Sequence, residues 1–193
     1  MAHKTRYTAR PLKALGITVG LAMAVVAVLS GEVLAKTAKE INASVDVALA
    51  RFYRQVPDGK DLAAKAKGIL VMPAVIKGAF IVGGEYGEGA LRVAEKMAGY
   101  YNLVSGSFGF QFGGEAKDII IMFMTDDVLK QFRASKGWEA GVDGNVALIT
   151  IGAGERLDLT KINDPIIGFV MDVKGLMVDV SLKGAKFTKV DKK

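Results

Sequence analysis

The chain has 193 residues, no cysteine and one histidine, His3. Beyond residue 3 this excludes disulfide staples, Cys–His and Ser–His nucleophile pairs and the usual zinc ligands. Lys and Arg outnumber Asp and Glu by 26 to 20, but four of those cations fall within the first 13 residues, so the basic balance is no argument for nucleic acid.

Residues 1–35 read as a secretory signal peptide. Lys4, Arg6, Arg10 and Lys13 form a positive head, an uncharged apolar run of 16 residues covers 14–29, and Val33-Leu-Ala35 supplies the small residues of a cleavage site. The run is shorter than the roughly 20 residues that span a bilayer as a helix. Cleavage between Ala35 and Lys36 and a periplasmic address are expected. Residues 36–193 then form one domain by length. It keeps 22 Lys and Arg against 19 Asp and Glu, a balance of only +3.

In chain order, residues 39–54 have the spacing of an amphipathic helix. Ile41, Val45, Leu49 and Phe52 make one stripe, and the mixed charges opposite favour docking on the protein's own sheet over membrane insertion. A short alanine-rich helix is expected over 61–67, with Gly68 as its cap. Short strand-like runs follow at 69–72, 79–83, 90–94, 100–104, 107–113, 118–124, 146–151, 166–172, 176–182 and 186–190. Phe108, Phe110 and Phe112 alternate with Gly109, Gln111 and Gly113, which gives an aromatic face backed by an almost bare one and implies a strongly curved sheet. The run from Ile119 to Met124 is apolar on both faces, as suits a central strand. One helix interrupts at Thr125, an N-cap followed by Asp126 and Asp127. Helical crossovers are missing, so the fold class is α+β: a curled, mostly antiparallel sheet, sandwich- or barrel-like, with N-terminal helices packed on it. The runs are too short for an outer-membrane barrel, whose strands need about 9–11 residues.

The chemistry is sparse. The glycine-rich segment 82–89 fits neither a phosphate loop nor a dinucleotide fingerprint and reads as a hairpin turn. Glu85 and Glu88 there are the nearest approach to a catalytic carboxylate pair, and both are expected to face water. Asp143-Gly144-Asn145 lacks the glutamate spacing of a calcium loop and reads as a turn. No catalytic residue, metal ligand or cofactor is expected. Basic residues and an interfacial aromatic remain, the pairing that suits an anionic lipid surface. The candidate lipid-binding residues are Lys136 and Trp138, then Arg133, Lys77, Lys174 and Lys183.

An ordered set of motifs carries a family resemblance. It comprises Gly68-Ile-Leu-Val-Met-Pro-Ala-Val-Ile-Lys-Gly78, Val82-Gly-Gly-Glu-Tyr-Gly-Glu-Gly89, Gly99-Tyr-Tyr, Gly106-Ser-Phe-Gly-Phe-Gln-Phe-Gly113, Met122-Phe-Met-Thr125, the stretch from Gly137 and Trp138 to Asp143, and Lys174-Gly-Leu-Met177. Together they resemble a SYLF domain over residues 36–193. The resemblance implies a lipid-binding module; eukaryotic relatives bind phosphoinositides and some bind actin, and bacterial relatives are mostly secreted. The expected partner is an anionic phospholipid or membrane surface of the bacterial envelope, with no nucleic acid. The alternative is a protein-interaction or assembly module with an envelope protein partner and no lipid ligand. An enzyme working with carboxylates alone is the third and weakest reading.

Overall fold

The computed structural model describes residues 35–78, 84–106, 116–149, 162–172 and 181–193. Residues 1–34 of the segment expected to be a signal peptide, the strands expected at 79–83 and 107–113 with their aromatic alternation, most of 176–182, and Lys174 lie outside the described residues.

Helix α1 spans Ala38–Gln55. It opens with a capping box in which Thr37 accepts from the Glu40 N–H and Glu40 accepts from the Thr37 N–H, so two orphan donors are satisfied. Its expected stripe is its docking face: Ile41, Val45, Leu49 and Phe52 are all buried. Helix α2, Gly59–Lys65, follows after one turn. Gly68 is not its cap; Ala66 ends the helix in extended conformation. Gly68 is instead a buried strand residue, where a Cβ would lie 2.7 Å from Leu129 Cδ1.

The strands are β1 Gly68–Gly78, β2 Gly84–Val93, β3 Lys96–Gly106, β4 Ala116–Phe123, β5 Trp138–Glu139, β6 Ala147–Leu148, β7 Ile166–Asp172 and β8 Lys186–Val190, with helix α3, Asp126–Ala134, between β4 and β5. They form one sheet in the order β5-β8-β3-β2-β1-β4-β7-β6. Neighbours are antiparallel except for the β6–β7 pair. The sheet curls into a half-barrel, so the class is α+β.

Each face carries its own core. On one side α1 and α2 cover Val71, Ala90, Ile120, Met122 and Phe169, with Phe52 and Phe169 rings 4.8 Å apart. On the other, Leu129 and Phe132 of α3 pack with Leu70, Leu91, Tyr101, Phe123, Trp138 and Phe187. Strand β4 lies between two partners and beneath both cores, which explains its unbroken apolar run; every residue from Asp118 to Phe123 is buried.

Strand β1 passes through Pro73 by bulging. Its register slips between Met72 and Val75 against β4, and between Val71 and Ile76 against β2. Proline has no N–H for the ladder, and Ala74 takes φ 50° and donates its N–H to Asp118 Oδ1 at 3.0 Å. Asp118 also accepts from the Arg51 guanidinium of α1.

The segment read as a turn at 82–89 is corrected here, because Gly84–Gly89 is the first half of β2. Its glycines make room for β1. A Cβ at Gly89 would fall on the Val71 carbonyl oxygen, and one at Gly87 would lie 2.7 Å from Val75 Cγ2.

Candidate functional site

Charged side chains in this domain occur in two settings. In the first they are buried or half-buried and paired. Glu85 receives Lys117 at 2.7 Å, Asp118 receives Arg51, and Glu88 receives Lys192 at 2.6 Å. Glu85 and Glu88 are three residues apart on one strand, so they point to opposite faces and cannot flank one substrate bond. Contrary to expectation Glu88 does not face water; it is 6% exposed. Its Oε1 accepts from Lys192 Nζ and from the Tyr86 hydroxyl at 3.0 Å, and its Oε2 accepts from the Lys36 N–H at 2.8 Å. Burial pulls the carboxyl up, but the Lys192, Lys36 and Tyr86 hydrogen bonds and the Lys192 charge more than offset this and hold it below its ordinary value. Burial, with the hydrogen bond to Glu88, pushes the Tyr86 phenol up to about 12.

The second setting is the end of the sheet formed by α3, β5 and β8. Helix α3 is started by Thr125, whose hydroxyl accepts from the Val128 N–H. It closes with Arg133 near its negative end. Strand β5 pairs with β8 through Trp138↔Phe187 and Glu139↔Lys186. Two turns are stitched beside it: Ala140 donates to the Ala185 carbonyl and Gly184 donates to the Ala140 carbonyl, both at 2.9 Å. Asp143 accepts from the Glu139 N–H at 2.7 Å, so the 143–145 segment is a turn with its carboxylate spent on the backbone.

This end carries Arg133, Lys136 and Lys183, all exposed, and also Lys186 and Lys189, exposed on opposite faces of β8 because they are three residues apart. A Cβ at Gly137 would lie 2.8 Å from Lys186 Cε, and one at Gly141 would lie 2.9 Å from Lys183 Cγ. None of these five cations is held by a carboxylate among the described residues. Two exposed valines sit among them: Val142, 72% exposed at the tip of the turn, and Val104, in register with Lys186.

Trp138 requires a correction. It is 3% exposed, and its ring packs edge-on to Phe132 at 5.6 Å and against Phe187 at 5.9 Å. Gly144 is kept small by it, since a Cβ there would lie 2.7 Å from Trp138 Cζ2. Trp138 is a core residue and offers no ring to a membrane interface. Lys77 is not part of the cluster either; it lies on β1 opposite Glu85, separated from β8 by β2 and β3. Lys186, Lys189 and Val142 were missed. Lys186 and Lys189 stand three residues apart on β8, so no period-two pattern marks them, and Val142 carries no signal beyond its place between Gly141 and Asp143.

A groove of about 610 Å³ lies between α1, α2 and the β2–β3 turn, lined by Tyr53, Lys60, Lys67 and Arg92 among others. Its cations are largely engaged. Arg92 is paired with Asp46 at 3.0 Å and donates to the Glu95 carbonyl, and Lys67 is 3.9 Å from Asp126. It is a weaker anion site than the β5–β8 end.

Residues 104–193 match the family model described as Ysc84, Las17-binding protein actin regulator. No curated protein matches the chain. The matched span takes in α3, β5 and β8 and so includes all five cations of this end.

Proposed function

We propose that this chain, a SYLF-family protein whose family match covers residues 104–193, is an exported, non-enzymatic module of the bacterial envelope that binds anionic lipid surfaces. The family is one of binding domains. The observation that carries the reading is the group of exposed cations Arg133, Lys136, Lys183, Lys186 and Lys189, none held by a carboxylate among the described residues, beside exposed Val142. A basic residue at an anionic bilayer contributes roughly 1 kcal/mol, and salt screens it within a Debye length of about 10 Å. Val142 supplies the apolar contact that Trp138 does not.

The test is vesicle co-sedimentation. Association should require anionic lipid, fall as salt is added, and drop in the triple variant Lys136→Glu/Lys183→Glu/Lys186→Glu. Equal recovery on neutral and anionic vesicles at low salt would defeat the electrostatic reading. The Las17-binding description of the matched family favours a second reading, contact with a protein partner through the same end. Absence of association with every vesicle, with a partner retained by the wild type and lost by the triple variant, would select it.

A further inference from the structure

The Glu88 site has an unusual member. Two of its donors, Lys192 Nζ and the Tyr86 hydroxyl, are ordinary side-chain groups, but the third is the main-chain nitrogen of Lys36. That nitrogen belongs to the bond at which signal removal is proposed, Ala35–Lys36. The compact unit that holds both hydrophobic cores opens at Lys36, and Ala35 is exposed.

We infer that Glu88 is the built acceptor for the α-ammonium that hydrolysis of the Ala35–Lys36 bond creates, so that processing itself adds an ion pair tying the start of α1 to β2 and Lys192. The step needs water and an endopeptidase. The C–N bond breaks, the hydroxyl goes to the Ala35 carbonyl carbon, and the amide nitrogen takes protons to become –NH₃⁺ while Ala35 leaves as a carboxylate. A neutral donor 2.8 Å from a buried carboxylate oxygen thereby becomes a cation, and a charge-assisted hydrogen bond is about twice as strong as a neutral one. The two cations do not compete for one atom, since Lys192 is on Oε1 and Lys36 N is on Oε2.

A second observation points the same way. An ammonium brings two donors more than the amide has. Asn102, directly opposite Glu88 in the β2–β3 register and hence on the same face, has a shielded Oδ1 with no hydrogen-bond partner among the described residues. The charged and titratable groups facing the new terminus are Glu88 and Tyr86 of β2, Lys192, and Glu40 of α1, whose carboxyl is lowered mainly by its Thr37 hydrogen bonds and slightly by Lys36. A further tie, Ala38 N–H to the Lys193 main-chain oxygen at 3.1 Å, holds the same two segments together.

The inference rests on the export reading for its biological occasion, but the site can be tested apart from it. N-terminal sequencing of the protein from the envelope fraction decides whether Lys36 is the natural first residue; another first residue overturns the physiological claim. Separately, protein beginning at Lys36 is compared with protein beginning at Ala35 and with the uncut chain. The Lys36 form should melt about 2–4 °C higher than the Ala35 form, the shift expected for each kcal/mol in a domain of this size. Its α-amine should titrate above the ordinary value of about 7.7–8.0. Glu88→Gln should erase both differences. Should that variant fail to fold, acetylation of the Lys36 α-amine, which restores a neutral amide with a single N–H donor, should lower the melting temperature to that of the Ala35 form. An α-amine with an ordinary titration, or equal melting of the Lys36 and Ala35 forms, overturns the site.

Discussion

The α1–β2–β4 region and the α3–β5–β8 end use the same kinds of charged residue in opposite ways. In the first, Arg51, Lys117 and Lys192 are each committed to a carboxylate beneath or beside the sheet, and the carboxylates Asp118 and Glu88 are nearly inaccessible. In the second, Arg133, Lys136, Lys183, Lys186 and Lys189 are exposed at the end of the sheet that also holds the core aromatics Phe132, Trp138 and Phe187. A buried charge cannot lose its partner without a large cost, whereas an exposed one can exchange water for a ligand at little cost. The paired region is therefore architecture, and the open end is where an anion can be gained without breaking the fold.

The comparison breaks first at Trp138. If the ring is core, Trp138→Ala destabilises by about 3–5 kcal/mol in denaturant titrations. As Trp138 is the sole tryptophan, its emission should be that of a buried indole and stay unchanged when anionic vesicles are added. A blue shift on vesicle addition would return it to the surface.

Arg51→Met is the next largest. It leaves Asp118 buried with the Ala74 N–H as a remaining donor, and a cost of about 3 kcal/mol follows. Urea midpoints measure it. Lys136→Met at the open end should stay within about 0.5 kcal/mol by the same measurement; equal costs at the two sites would dissolve the distinction.

Gly89→Ala comes third. The added methyl meets the Val71 carbonyl and the Met72 backbone rather than a side chain that can swing away, so about 1–3 kcal/mol is expected.

The mildest effect is acid sensitivity. Glu88 has a folded pKa below its ordinary 4.5. Its contribution is thus fully present above pH 4.5 and is lost as pH falls through the depressed folded value. Melting temperature against pH should drop less steeply below 4.5 in Glu88→Gln than in the wild type. An unchanged acid limb would mean that Glu88 gains nothing from its partners.

Much of the frame was legible because it depends on local pattern. The stripe from Ile41 to Phe52 named α1 and its docking face, the Thr125 cap with Asp126 and Asp127 started α3, and the apolar run at 119–124 announced a central strand. The limits of β7 and β8 also agree with the runs read at 166–172 and 186–190. Strand β5 was not legible, since two residues are too few for a periodic signal.

What the tertiary structure alone decided is which side each ambiguous residue faces and what meets it there. Trp138 suits a core and an interface equally by chemistry; the pairing of β5 with β8 placed its ring between Phe132 and Phe187. The glycines of 84–89 suit a turn and a crowded strand equally; the bulge of β1 over them made them strand residues. Glu88 has no local reason to be buried, and besides Tyr86 its partners come from residues 52 and 104 positions away. Local sequence specifies periodicity, capping and apolar content because these act within a turn or a few residues. Partner choice across a sheet depends on register and curvature, which only the assembled chain fixes.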